Sequence, residues 1–163
     1  MKPEKLELTN VMFQGTGINV TVSGKRHLGA AIGSESFRKS FVDSQVDTWV
    51  KELSLLADIA RFHPQAAYCA FTAGYRHKFN LFLRTLPGIK DYLTPVEDII
   101  RNNLIPALCE NRACSDSERQ LLSLPVKMGG LGLIDITTVA EIVVRLCKAQ
   151  LVCLERLETS MPA

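Results

Sequence analysis

The amino-acid sequence predicts a mostly α chain in which an N-terminal β-hairpin leads into a bundle of helices. Three observations predict it. Val42, Val46, Trp49, Leu53, Leu56 and Ala60 step by 4, 3, 4, 3 and 4 residues, which puts them on one helical face. Tyr68, Phe71, Tyr75, Phe79, Phe82 and Leu86 step by 3, 4, 4, 3 and 4, and repeat the pattern. Ahead of both, Ile18, Val20 and Val22 alternate with Asn19 and Thr21, the period of a half-buried strand.

Taken in order, Pro3 to Phe13 is a short helix without a clean stripe, and Gln14-Gly15-Thr16-Gly17 breaks it. The strand through Ile18–Val22 turns at Ser23-Gly24 and returns through Lys25 to Ile32, so the hairpin ends at Gly33. A helix spans Ser34 to Phe62. Pro64 disfavours helix at His63 but suits the first position of a second helix, which runs to about Leu86. Its aromatic stripe reads as core rather than as a base-stacking platform. Pro87-Gly88 ends it. Three segments read as capping boxes: Thr94 with Glu97, Ser115 with Glu118, and Thr138 with Glu141. Pro106 interrupts or kinks the helix opened at Thr94. The helix from Thr138 carries Ile142, Leu146, Ala149 and Cys153 on one side.

Charge is small in total and uneven in place. The formal net charge is +2. Residues 1–60 hold seven Lys/Arg against seven Asp/Glu, residues 91–163 hold seven against ten, and residues 61–90 hold five against none. Those five are Arg61, Arg76, Lys78, Arg84 and Lys90. Arg76, Asn80 and Arg84 fall four apart, with His77 and Lys78 beside them. Such a row is either a solvated face or a phosphate-binding row, and the acid-free stretch favours an anionic partner.

Several chemistries find no footing. The five cysteines contain no C-x-x-C and the three histidines are scattered, so neither a zinc site nor a disulfide framework is expected. The thiols read as buried or incidental, in a reducing compartment. No dinucleotide or P-loop motif occurs. Gly129-Gly130-Leu131-Gly132 reads as a tight turn packed under a helix, not as a phosphate loop. No nucleophile–base arrangement and no clustered aspartates stand out. No secretory leader opens the chain, the Asn19-Val20-Thr21 sequon is expected to stay unmodified, and no apolar run approaches the roughly 20 residues of a membrane span.

Three strings carry a resemblance. Arg26-His27-Leu28-Gly29-Ala30-Ala31-Ile32-Gly33 resembles the "YLG" hairpin of non-LTR retrotransposon reverse transcriptases, with His27 where that family often has tyrosine. Pro64-Gln65-Ala66-Ala67 and Asn80 to Pro87 resemble its helical thumb. Leu124 to Leu133 is similar to the "GGLGL" segment downstream of that thumb. The three come in the family's order, and the resemblance as a whole covers nearly the whole chain.

The resemblance implies the C-terminal part of an RNA-directed DNA polymerase. Residues 1–33 would close a palm with the primer-grip hairpin, 34–123 would form a thumb-like domain, and 124–163 would begin a truncated downstream helical region. It implies no catalytic residue and no metal ligand in this chain, since the aspartates that hold two Mg2+ lie upstream. The chain is then an inactive fragment that holds primer–template duplex by its backbone. The implied contacts are Lys25, Arg26, His27 and Gly29 at the hairpin, and Arg76, Lys78 and Arg84 on the second helix. Implied partners are the backbone of an RNA–DNA or DNA duplex and a separate palm-and-fingers polypeptide, with no cofactor, small-molecule substrate or membrane, in the nucleus or cytoplasm. The rival readings are a helical protein-interaction or regulatory domain derived from a transposon, and a remnant without function.

Overall fold

The computed structural model describes residues 9, 11–17, 20–27, 30–86, 88–146 and 149. The chain is mostly helical, and a two-stranded antiparallel hairpin precedes the helices. The hairpin pairs β1 (Gly24–His27) with β2 (Ala30–Gly33) in the register Gly24↔Gly33, Lys25↔Ile32, Arg26↔Ala31 and His27↔Ala30. The alternation at Val20 and Val22 therefore does not make a strand, and the reversal falls after His27 rather than at Ser23-Gly24. Burial and backbone crowding explain the shift. The observed register turns Ala31 inward at 5% exposure, whereas Val22 stays 52% exposed. At Gly33 an added Cβ would lie 2.3 Å from the Gly24 Cα, so this pairing needs glycine at that crossing. The expected helix up to Phe13 lies largely outside the described residues. Thr9, Val11 and Met12 are helical, and residues 13–17 form turns.

Ser34 caps α1 (Glu35–Ala60), its hydroxyl accepting from the Phe37 amide at 3.3 Å. All six residues of the first stripe are buried, from Val42 at one end to Ala60 at the other. They make α1 the spine on which the hairpin and the later helices pack. Pro64 opens α2 (Pro64–Ala70), which runs through a π segment (Phe71–Tyr75) into α3 (Arg76–Thr85). The wider π turn takes up the angular drift that two successive four-residue steps accumulate in an α-helix, so Phe71 and Phe79 both reach full burial. Trp49 sits edge-on to Phe79 at 5.0 Å and to Phe82 at 4.8 Å. Each such contact adds about 0.5–1.5 kcal/mol beyond the area buried.

A 3-10 turn (Lys90–Leu93) enters α4 (Thr94–Ile99). Thr94 is not the cap expected there: its hydroxyl donates to the Asp91 carbonyl, and Leu93 precedes the helix without a side-chain cap. Pro106 does interrupt the ladder. The chain answers with a π segment (Ile100–Leu104) and places Pro106 in the first turn of α5 (Ile105–Leu108), where its missing N–H does least harm. Ser115 and Glu118 form the expected reciprocal capping box on α6 (Asp116–Ser123).

After a 3-10 turn (Val126–Met128), the glycines form the tight turn that the sequence suggests. Gly129 and Gly132 have φ of 85° and 66°, and a Cβ on Gly130 would meet the Leu124 carbonyl oxygen at 2.2 Å. The last helix, α7, covers residues 136–146. Asp135, not Thr138, caps it: Asp135 Oδ1 accepts from the backbone amides of Thr137 and Thr138, and Oδ2 from the Thr138 hydroxyl. Ile136 and Ala140 enter the common core, while Ile142 and Leu146 stay exposed and Cys153 lies outside the described residues. The face expected to pack is thus the outer one. No helix among the described residues is long and apolar enough to cross a membrane.

Candidate nucleic-acid interface

The five cations of the acid-free stretch meet different fates once the chain folds. Lys78 reaches across to α1 and pairs with Glu52 at 3.3 Å, with its ammonium 4.8 Å from the centre of the Tyr75 ring. Lys90 pairs with Glu141 of α7 at 3.0 Å. Arg61, Arg76 and Arg84 are exposed and engage no carboxylate among the described residues. A sequence window counts acids only along the chain. Folding imports Glu52 and Glu141 from outside the window, and both cancel a charge that the count credits to an anionic partner.

A groove of about 270 Å3 lies between the hairpin, α1 and α3. Arg26 enters it from β1, Lys78 and Leu81 from α3, and Gln45, Thr48 and Glu52 from α1. Strand alternation explains why Arg26 is the hairpin residue present. Arg26 pairs with buried Ala31 and so shares the inward face, with its guanidinium 5.7 Å from the centre of the Phe41 ring. Lys25 and His27 fall on the opposite face with exposed Ile32. Gly29, the fourth expected hairpin contact, lies outside the described residues.

On α3 the same periodic reasoning separates the cations. At 100° per residue, Arg76 lies about 160° and Arg84 about 120° around the helix from Lys78. Lys78 faces the groove, and Arg76, His77 and Arg84 are exposed on the rest of the helix surface. The structure thus brings together Arg26 and Lys78 of the seven expected contacts. Arg76 and Arg84 do not line that groove and are exposed elsewhere on α3.

Glu52 is a groove residue that the sequence did not flag. It accepts from the Tyr75 hydroxyl at 3.0 Å as well as from Lys78. Burial, the hydrogen bond to Glu52 and the charge of that carboxylate push the Tyr75 hydroxyl up to about 12, so it stays a neutral donor. The groove therefore carries two cations against one acid, with a phenol fixing the acid in place.

No protein-family model, curated protein or solved structure matches the chain.

The glycine turn has no spare donors. The amides of Gly129, Gly130, Leu131, Gly132 and Leu133 all donate to backbone carbonyls between Leu122 and Val126, so none is left to cradle a phosphate. Among the described residues no group of three or more His, Cys, Asp or Glu side chains is placed to hold a metal ion. The most buried charged pair is structural. Arg119, 5% exposed, donates through Nε to Glu97 Oε1 at 2.6 Å and through Nη2 to Oε2 at 2.9 Å. Its Nη1 and Nη2 also bond the carbonyls of Leu133 and Ile134 at 2.6 and 3.0 Å. One guanidinium thereby ties α6 to α4 and to the irregular run before α7. Nothing in the local sequence marks Arg119 as buried, because its partners lie 22 residues before and 14 to 15 residues after it.

Proposed function

We propose that the chain grips the sugar-phosphate backbone of a nucleic-acid duplex through the exposed face of α3, as a polymerase thumb does when separated from its palm. The observation that supports this most is the pair Arg76 and Arg84. Both stand in a segment without acids and engage no carboxylate among the described residues, so phosphate need not displace a partner there. They lie about 12 Å apart along the helix, two turns at 1.5 Å per residue, a span suited to tracking a backbone rather than reading bases.

Arg26 and Lys78 in the groove, and Lys25 and His27 on the outer hairpin face, serve as secondary contacts. The catalytic step belongs to a separate palm-and-fingers polypeptide, which would hold Mg2+ through its own aspartates. An RNA–DNA hybrid is the duplex favoured by the resemblance, and the nucleus or cytoplasm is where the chain would meet it.

Fluorescence anisotropy with a labelled RNA–DNA hybrid at low salt tests this reading. Saturable binding is expected, weakened about tenfold or more when Arg76→Glu and Arg84→Glu are combined. No binding, or binding indifferent to that double change, rejects it.

A second reading has its own observation. Leu55 and Ile59 on the solvent side of α1, and Phe62 in the turn just past its end, are 65%, 50% and 81% exposed. Apolar stripes of this kind recruit protein partners. Light scattering without nucleic acid separates the two readings: self-association abolished by Phe62→Ser favours a protein-interaction module.

A further inference from the structure

The chain ends α5 in an unusual reversal. Glu110 and Asn111 both adopt positive φ, 55° and 60°, which side-chain-bearing residues rarely do. The Arg112 amide donates to the Cys109 carbonyl at 3.1 Å and the Asn111 amide to the Pro106 carbonyl at 2.7 Å. Two consecutive left-handed residues inside such a turn send the chain directly back along its path. Cys114 therefore returns toward the end of the helix that Cys109 has just left.

Cys109 and Cys114 line one cavity of about 130 Å3. Ile105, Leu121 and Leu122 also line its walls, with Arg112 and Glu118 at polar positions. Both cysteines are half-buried and free. Cys69, by contrast, is exposed on α2.

We infer that Cys109 and Cys114 are a reversible dithiol–disulfide pair, a redox-addressable clasp between the end of α5 and the start of α6. The oxidant is a low-molecular-weight disulfide of the oxidised-glutathione class. One protein thiolate attacks a sulfur of that disulfide and expels one glutathione thiolate. The second protein thiolate attacks the mixed disulfide at the protein sulfur and expels the other. The balance is two protein thiols and one glutathione disulfide giving one protein disulfide and two glutathione thiols. Burial and the neighbouring Glu118 carboxylate push the Cys114 thiol up. The closed bond would fix the start of α6, the helix that carries Arg119, to the end of α5.

The test uses the full chain carrying Cys69→Ser, Cys147→Ser and Cys153→Ser, folded as judged by circular dichroism. It is treated with oxidised glutathione, acid-quenched and alkylated. Trypsin cuts after Arg112, between the two cysteines, so a bond between them joins two peptides that otherwise separate. The expected result is that joined pair, an intact mass lower by two hydrogens, and full reversal by a reductant. Adding Cys114→Ser is expected to trap a single glutathione on Cys109. A parent chain that gathers glutathione adducts without the joined peptides, links into dimers or does not react overturns the inference.

Discussion

Arg119 is the buried charged side chain among the described residues, at 5% exposure. A buried guanidinium is tolerated only when its charge and its donors are all met. Here a bidentate carboxylate and two carbonyls meet them. Arg119→Leu leaves Glu97 buried without its cation, and thermal or urea denaturation should show a loss of about 3–5 kcal/mol. The double change Arg119→Leu with Glu97→Leu should cost less than either alone, because no charge is stranded.

The two carboxylates near this cluster titrate in opposite senses. Burial pushes the Glu97 carboxyl up, against the pull of Arg119. Its contribution to stability is present below the ordinary glutamate value and is lost as pH rises through the raised one. Burial also opposes ionisation of Asp135, but the hydroxyls of Thr137 and Thr138 and the Thr138 amide outweigh it and hold that carboxyl low. Asp135 stabilises the fold above about pH 4 and loses that effect as pH falls through its lowered value. Melting curves of the parent and of Asp135→Asn should therefore be furthest apart at neutral pH and converge on acidification. The cap is Asp135 rather than the Thr138 that the spacing predicts. Both residues can cap a helix, and only the folded backbone shows that Asp135 reaches two amides while Glu141 is drawn away to Lys90.

At the scale of elements, helices were legible and hairpin register was not. The stripes on α1 and on the α2–α3 run declared themselves because each helical face needs only its own spacing to be recognised. A strand's alternation says that one face is apolar, not that a core waits to receive it. Val20 and Val22 alternate as well as any strand, yet the pairing that buries Ala31 against α1 prevails. The same limit applies to α7, whose apolar residues lie on two faces. Spacing alone picked Ile142 and Leu146, while the core took Ile136 and Ala140.

Glycines test the element scale well. Gly130→Ala would force a methyl to 2.2 Å from a carbonyl oxygen, and calorimetry should show a loss of about 2 kcal/mol or more from overpacking. Gly74 has nothing within 4 Å of a Cβ and sits in the helical run between α2 and α3. Gly74→Ala should stabilise by about 0.5–1 kcal/mol.

For the whole molecule, the account rests on how folding redistributes charge. The sequence displays five cations in a stretch without acids, and among the described residues the fold leaves Arg61, Arg76 and Arg84 outside carboxylate pairs. It also splits the expected contacts between a hairpin groove and the outer surface of α3. Residue order along the chain carries no information about which helix face meets the hairpin, so the split could not be read before folding. If the outer surface of α3 binds duplex, that binding is electrostatic and indifferent to base sequence. The most direct measurement is the salt dependence of affinity for an RNA–DNA hybrid. The logarithm of the binding constant should fall linearly with the logarithm of salt concentration. Replacing Arg76 or Arg84 by alanine should lower that slope by about one each, whatever the sequence of the duplex. A slope unchanged by either substitution, or no measurable binding at low salt, would contradict the account.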